Sequence, residues 1–304
     1  PATYYMMTGD SAMLKASYNV HNLIRRTFGQ VPGGMFGADE NARMGSIDPR
    51  QGVGTCGLVE QMASDELMLC MTGDPLWAEH CEEVAFNSYP AAVMPDFKGL
   101  RYITCPNQTV SDSKNHHPGI DNRGPFLAMN PFSSRCCQHN HAQGWPYYAE
   151  HLILATPDNG VAAAMYAACK ATVKVGDGNE ISLHEQTNYP FEETIRFTVN
   201  TPKAVSFPFY LRIPSWTEGA TIFVNGKKVA ANPEAGQYAC INREWKDNDQ
   251  VEIQLPMQLS MRTWQVNKNS VSVDYGPLTM SLKIDEDYVK KDSRATAIGD
   301  SKWQ

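Results

Sequence analysis

The sequence has no long run of apolar residues and no cluster of basic residues. A membrane-spanning helix needs about 20 consecutive apolar residues, and no stretch of this 304-residue chain reaches that length. Nucleic-acid-binding proteins carry clustered Lys and Arg, whereas this chain has no such run and a formal net charge of −7. These absences argue against a membrane or a nucleic acid as the partner and favour a neutral or weakly charged ligand.

No secretion signal and no disulfide framework are visible in the sequence either. The N-terminal residues PATYYMMTGD contain neither the basic segment nor the apolar core of a signal peptide. Because the chain starts without Met and inside a predicted helix, we expect a fragment or a processed product, and its cellular location stays open. Eight cysteines in 304 residues are too sparse for the disulfide scaffold of a small secreted domain.

The first half of the chain carries a repeated turn signal. Thr-Gly-Asp occurs at Thr8–Asp10 and again at Thr72–Asp74. Glycine readily ends a helix, and aspartate caps the start of the next one. Each copy therefore predicts a pair of helices, and the repeat suggests a helical toroid or solenoid built from paired helices. We expect the C-terminal part of an (α/α)6-type helical barrel.

The second half is predicted to be all β. Short runs rich in β-branched and aromatic residues alternate with turn residues, among them Gly176-Asp177-Gly178 and Asn225-Gly226. The spacing of these turns is typical of a β-sandwich. We therefore predict a multidomain α + β protein, with a helical barrel domain at residues 1–155 and an all-β sandwich at residues 156–304.

The most informative segment is NPFSSRCCQHNHAQGWP, which begins at Asn130. The adjacent Cys136 and Cys137 do not easily form a disulfide with each other, because the resulting ring is strained. Neighbouring thiols followed by His139 and His141 favour a bound metal or a lowered thiol pKa. On spacing alone, metal binding, buried structural thiols and redox chemistry remain alternatives.

Several motifs resemble those of a known enzyme family and occur in the same order. The segment GTCGLVEQMASDELML contains Cys56, and the cysteine pair follows further along the chain. The likeness continues through TGDPLWAEHCEEVAFNSYPAAV, LRIPSW, VNGKKV and INREWKDNDQVEIQLPM, so it covers nearly all of the chain. The sequence resembles the glycoside hydrolase family that includes zinc-dependent β-L-arabinofuranosidases. The resemblance implies a retaining, exo-acting glycosidase for oligosaccharides, with Zn²⁺ as its cofactor.

The resemblance also implies roles for particular residues. Cys56, Cys136 and Cys137 would bind Zn²⁺, and Cys136 would be the nucleophile, since a thiolate is a strong one. A carboxylic acid must protonate the leaving oxygen and later activate water. The family spacing lies closest to Asp39 and Glu40. We favour Glu40 as this acid/base and Asp39 as a substrate contact; the alternative is that both only cap or solvate a loop.

The sequence differs from the family at the position of the fourth zinc ligand. The resemblance implies a glutamate two residues before the first cysteine, and this chain has Gly54 there. Zinc prefers four ligands. Asp39, Glu40, His139, water and the substrate remain alternatives for the fourth position.

Four further residues are candidates for substrate binding. His116 lies in a polar loop, whereas His139, His141 and Trp145 follow the cysteine pair. An indole ring offers a broad apolar face to the C–H groups of a sugar, although core packing or solvation is the alternative for each of these side chains. We expect an oligosaccharide or glycoside as the partner, with no nucleic acid and no membrane, and a homodimer stays open.

Two other functions are compatible with the same architecture. A carbohydrate-binding protein that has lost catalysis would keep the sugar site without turnover. A carbohydrate lyase would use the same helical and β parts for different chemistry, because a fold alone does not determine function.

Overall fold

The structure of the chain is a computed structural model. It describes residues 1–28, 31–37, 52–95, 97, 99–106, 108, 127–128, 136–230, 233–285 and 287, and the structural statements below refer to these residues. Helices dominate the first half and strands the second. None of the helices in these ranges is both long and apolar enough to cross a membrane.

The α-helices of the described residues all lie in the first half. They are α1 (Ala2–Thr8), α2 (Ser11–Thr27), α3 (Thr55–Thr72), α4 (Pro75–Glu83), α5 (Tyr89–Ala91) and α6 (Cys136–Glu150), with a π-helical turn at Val84–Ser88 between α4 and α5.

Both Thr-Gly-Asp turns form as predicted. Gly9 ends α1 and Gly73 ends α3, in the left-handed conformation with φ of 70° and 64°. Asp10 and Asp74 then cap the following helices, because each carboxylate accepts a hydrogen bond from the backbone amide two residues later. The predicted helix pairs α1–α2 and α3–α4 are therefore confirmed.

Two short sheets accompany the helices. In the first, β1 (Val53–Gly54) pairs with β3 (Ile103–Thr104), and in the second, β2 (Leu100–Arg101) pairs with β4 (Leu127–Ala128). Both pairs are antiparallel.

Three larger sheets follow α6. A four-stranded sheet contains β5 (Ile153–Ala155), β6 (Val161–Ala163), β10 (Val205–Ile213) and β13 (Gln237–Trp245), in the order β13-β10-β6-β5. A six-stranded sheet contains β7 (Cys169–Val175), β8 (Asn179–Thr187), β9 (Thr194–Asn200), β11 (Thr221–Val224), β12 (Lys227–Lys228) and β14 (Asp249–Gln254), in the order β12-β11-β14-β9-β8-β7. The last sheet is β15 (Leu259–Trp264), β16 (Ser270–Tyr275) and β17 (Leu278–Met280).

Two clusters of buried apolar side chains form the core. One lies among the helices and includes Leu58 and Trp77. The other joins the four-stranded and six-stranded sheets and includes Phe197 and Phe209, on strands where buried and less buried residues alternate. Phe86 packs against both clusters, so the helices and the sheets share a contact surface.

A buried ion pair crosses this contact surface. Glu82 Oε2 of α4 lies 2.5 Å from Arg212 Nη2 of β10, and the two side chains are 1% and 0% exposed. Tyr189 Oη and the Tyr166 backbone amide also donate hydrogen bonds to Glu82, at 2.8 and 3.1 Å. Burial disfavours the charge on Arg212, but the adjacent carboxylate raises the pKa of Arg212 well above its ordinary value. The guanidinium therefore stays charged.

A second buried polar group connects α2, α3 and α4. His80 Nδ1 lies 2.7 Å from Asp65 Oδ2, and Arg25 donates a hydrogen bond of 2.6 Å to the Gly34 carbonyl. The ring of His21 packs edge-on against that of His80, with centroids 5.1 Å apart. Burial, and then the positive charges of His80 and Arg25, lower the pKa of His21 to about 4. His21 is therefore neutral in the folded chain at neutral pH.

Removing one partner of the buried ion pair should destabilise the full-length protein. Arg212→Met leaves the Glu82 carboxylate buried without a counter-charge, and we expect a loss of about 3–5 kcal/mol in the free energy of unfolding. The matched control is Arg196→Met, which breaks an exposed pair with Glu252 and should cost about 0–1 kcal/mol. Urea unfolding measures both values. Equal losses in the two variants would show that burial does not increase the cost of removing one partner of the ion pair.

Acid should destabilise the protein partly through His21. The unfolded chain binds a proton there near pH 6.5, whereas the folded chain binds it only near pH 4. The stabilising contribution is therefore complete above pH 6.5 and is lost as the pH falls through this window. His21→Gln removes the effect.

We therefore expect the unfolding free energy of the wild type, minus that of the His21→Gln variant, to fall by on the order of 1–2 kcal/mol over that pH range, after allowance for partial exposure to water. Urea unfolding at stepped pH values measures this difference. A difference that stays constant with pH would show that His21 titrates alike in both states.

Candidate thiolate metal site

Three cysteine side chains meet where two helices begin. Cys56 is the second residue of α3, whereas Cys136 and Cys137 are the first two residues of α6. The two helices pack against each other, which brings the cysteines together despite their distance in sequence. The N-terminus of a helix carries a partial positive charge that stabilises a thiolate.

The spacing of the three sulfur atoms is compatible with a shared metal ion. All three Sγ atoms lie within 4.8 Å of one another, and those of Cys56 and Cys137 are 3.1 Å apart. Two sulfurs bound to one tetrahedral zinc ion lie ~3.8 Å apart, because each Zn–S bond is ~2.3 Å long. Small shifts of the side chains would therefore complete three zinc–sulfur bonds.

The electrostatics of Cys137 also favour a cation. Its side chain is 1% exposed. The hydrogen bond with Cys56, and then burial, raise the pKa of Cys137 far above its ordinary value. A thiolate at this position therefore needs a positive charge among the three sulfurs, and a divalent cation supplies it. Thiolates are soft ligands that select zinc over magnesium or calcium, so the three residues fit Zn²⁺.

The start of α3 is fixed by the strand that precedes it. In β1, Gly54 pairs with Ile103 of β3. The next residue, Thr55, donates hydrogen bonds from its hydroxyl to the Arg101 carbonyl at 2.6 Å and from its amide to the Tyr102 carbonyl at 3.0 Å. Cys56 follows directly, so its position relative to the segment before β3 is set by these hydrogen bonds.

Tyr102 reaches the site from this segment. Its hydroxyl lies 3.5 Å from Cys136 Sγ, and its carbonyl oxygen lies 3.9 Å from Cys137 Sγ. Tyr102 is not among the residues predicted from the sequence, because no motif marks it. Only the pairing of β1 with β3 brings it to the sulfurs, and such short strands give almost no sequence signal.

Two of the predicted substrate-binding residues pack against Tyr89. The ring of His141 stacks on that of Tyr89, with centroids 4.4 Å apart, and burial lowers the pKa of His141. Trp145 meets Tyr89 edge-on at 5.2 Å and is 43% exposed. This packing requires a glycine at position 144, because a Cβ on Gly144 would lie only 2.6 Å from the Tyr89 ring. His141 is thus a packed residue, whereas Trp145 keeps an exposed face.

Among the described residues, His139 does not join the sulfur cluster. It is exposed on α6, and the group of Cys56, Cys136 and Cys137 that could hold a metal ion does not include it. Asp39, Glu40 and His116 lie outside the residues that the structure describes, so their roles stay predictions from the sequence.

A second group with metal-binding side chains lies elsewhere among the helices. The ligand atoms of His21, Asp65 and His80 are within 4.8 Å of one another. However, Arg25 Nη1 lies 2.7 Å from His80 Nε2, and its positive charge opposes a cation at this position. We therefore assign no metal to this group.

Comparison with known proteins gives two family matches along the chain. Residues 1–150 match the model for a β-L-arabinofuranosidase GH127 catalytic domain, and residues 160–257 match the model for the GH127 middle domain. A curated relative, a non-reducing end β-L-arabinofuranosidase of Bifidobacterium longum subsp. longum, is 25% identical over 237 residues. The match covers 74% of this chain and 34% of that relative.

Solved structures agree with these matches. A structure described as a glycoside hydrolase has a TM-score of 0.75 and 26% identity, and the match covers 91% of this chain and 49% of that one. A GH127 β-L-arabinofuranosidase from Geobacillus stearothermophilus has the same fold, with a TM-score of 0.77, 22% identity and coverage of 91% and 44%. This chain thus spans half or less of the length of these relatives. With family models matched in both its helical and its β part, the chain belongs to glycoside hydrolase family 127.

Proposed function

We propose that this chain is part of a retaining glycoside hydrolase that removes β-L-arabinofuranosyl units from the non-reducing end of oligosaccharides. The observation that carries the proposal is the convergence of Cys56, Cys136 and Cys137 at the N-termini of α3 and α6. The sugar is taken from the names of the relatives, which are β-L-arabinofuranosidases.

Cys136 is the proposed nucleophile of the first step. It is the exposed member of the cluster, whereas Cys137 is buried, so a substrate approaching from solvent meets the sulfur of Cys136 first. A zinc ion held by the three cysteines would supply the positive charge that keeps these sulfurs ionised. The thiolate attacks the anomeric carbon and forms a C–S bond, while the C–O bond to the leaving group breaks.

Proton transfer completes the reaction. In our proposal Glu40 donates its proton to the departing oxygen in the first step. The resulting carboxylate then takes a proton from water, whose oxygen attacks the anomeric carbon as the C–S bond breaks. Two displacements at one carbon retain its configuration, and the Cys136 thiolate and the Glu40 acid are restored.

The architecture proposed for this enzyme follows the sequence prediction. Residues 1–155 would form the C-terminal part of an (α/α)6 barrel, and residues 156–304 would contain a β-sandwich. The capped helix pairs support the first part. The core shared by the four-stranded and six-stranded sheets supports the second. Trp145, with its exposed face, is the described aromatic residue that we propose to contact the sugar.

Zinc analysis together with activity tests the proposal on the full-length protein. We expect about one zinc per chain in the wild type and well below half of that in Cys56→Ser and Cys137→Ser, because each removes one of three thiolates. Cys136→Ser should lower the release of L-arabinose from a β-L-arabinofuranoside by ~10³-fold or more. Elemental analysis and sugar release measure the two effects.

A distant cysteine provides the control. Cys240 is exposed on β13, so Cys240→Ser should keep both the zinc and the activity of the wild type. Circular dichroism would verify that each variant is folded. A wild type that contains no zinc, or a Cys136→Ser variant with full activity, would refute the proposed mechanism. Sugar binding without turnover in the wild type would indicate a binding protein instead.

A further inference from the structure

Tyr89 contacts the backbone of α6 close to the cysteine pair. It is the first residue of α5 and is 1% exposed. Its hydroxyl donates a hydrogen bond of 2.5 Å to the backbone carbonyl of His141, and its ring stacks on the ring of the same residue. His141 follows Cys136 and Cys137 within the first two turns of α6. Tyr89 therefore holds the part of α6 that carries the two cysteines.

The helical hydrogen bonds of α6 are altered at this point. In a regular α-helix the carbonyl of His141 would accept from the amide of Trp145, four residues later. Here the Trp145 amide forms a hydrogen bond with Tyr89, whose hydroxyl donates to the carbonyl. Pro146 lies inside the helix and has no N–H, so it cannot donate to the carbonyl of Ala142. The direction of a helix is set by the inserted side chain or the proline where its hydrogen bonds are interrupted, so the start of α6 depends on Tyr89.

The base of Tyr89 is connected to the start of α3. The Ala92 amide donates to the Tyr89 carbonyl at 3.2 Å, and the Ala92 carbonyl accepts from the Arg101 amide of β2 at 2.7 Å. The Arg101 carbonyl in turn accepts a hydrogen bond of 2.6 Å from the hydroxyl of Thr55, the residue before Cys56. A continuous series of hydrogen bonds therefore connects the start of α3 with Tyr89, and Tyr89 with α6.

We propose that Tyr89 is a positioning residue of the thiolate site. Its hydroxyl holds the first turns of α6 at the separation from α3 at which Cys136 and Cys137 meet Cys56. Sulfur atoms that are already in place need less reorganisation when they bind a cation. Tyr89 acts through the backbone of α6 and not as a ligand of the metal. This inference rests on the proposed function, because it requires that the three cysteines hold the metal.

The metal affinity of Tyr89→Phe tests this role without measuring activity. The substitution removes the hydroxyl and keeps the ring that stacks on His141. The full-length protein is loaded with Co²⁺, whose near-ultraviolet charge-transfer bands report the bound thiolates, and titration with EDTA gives the dissociation constant. We expect Tyr89→Phe to raise this constant by about tenfold, the lower end of the usual effect of changing a residue that orients metal ligands.

Tyr166→Phe is the matched control. The Tyr166 hydroxyl also donates a hydrogen bond of 2.5 Å to a backbone carbonyl, that of Arg212, and Tyr166 is buried in the core of the sheets. Both variants lose one hydrogen bond of the same kind, so urea unfolding should show similar losses of stability. Only Tyr89→Phe should weaken the binding of Co²⁺, an effect that a general loss of stability does not explain.

A second variant changes the same contact from the side of α6. A Cβ on Gly144 would lie 2.7 Å from the hydroxyl oxygen of Tyr89, so Gly144→Ala should displace this hydroxyl and also weaken Co²⁺ binding. Adding Tyr89→Phe to Gly144→Ala should then raise the dissociation constant by a smaller factor than it does in the wild type, because both changes act on one contact.

The possible failures have different meanings. An unchanged Co²⁺ affinity in Tyr89→Phe, an equal loss in Tyr166→Phe, or independent effects of Tyr89→Phe and Gly144→Ala would show that Tyr89 does not position the cysteines. The proposed function would then stand. If no thiolate charge-transfer bands develop in the wild type, the three cysteines do not hold the metal, and the proposed function fails together with the role of Tyr89.

Discussion

The contact surface between the helices and the sheets depends on the ion pair between Glu82 and Arg212. Two opposite charges with almost no exposure are favourable only when both are close to each other and fully hydrogen-bonded. Glu82 has three partners from the β part, namely Arg212, Tyr189 and the amide of Tyr166, and Arg212 Nε donates a hydrogen bond to the Ala164 carbonyl. Because α4 follows α3 directly through the Asp74 cap, the pair also limits how the C-terminal end of α3 can move relative to the sheets.

The cysteine cluster depends on the fixed positions of two helices, α3 and α6. Its three thiols come from the starts of two helices, and the hydrogen bonds of Thr55 fix one of these starts to the segment that carries Tyr102. Packing of His141 and Trp145 on Tyr89 fixes the other helix, α6. Thiols placed in this way need little reorganisation to bind a cation, which is the general requirement for an active metal site. In the proposed mechanism all three cysteines would hold the metal, and the exposed Cys136 would also meet the substrate.

Several elements could be predicted because their signals are local. Thr-Gly-Asp ends one helix and caps the next through contacts within a few residues, so the sequence is sufficient for the pairs α1–α2 and α3–α4. Runs of β-branched and aromatic residues between turn residues similarly predict the strands that share the sheet core. By contrast, β1 and β3 are very short, and their pairing joins chain segments that are far apart in the sequence. The contact of Tyr102 with the cysteines could therefore not be predicted from the sequence. The same holds for the partners of Glu82, which lie much further along the chain.

By itself, the sequence determined the order of helical and β parts, the two helix-pair turns and the cysteines that were candidates for a metal, since each depends on neighbouring residues or on residue type. The resemblance of its motifs to a glycosidase family added the expected chemistry. The tertiary structure decided which of these candidates meet: Cys56 joins Cys136 and Cys137, His139 stays apart, and Tyr102 borders the exposed sulfur. Distances between residues far apart in the chain arise from packing of whole helices and strands, and a motif read along the sequence carries no information about that packing.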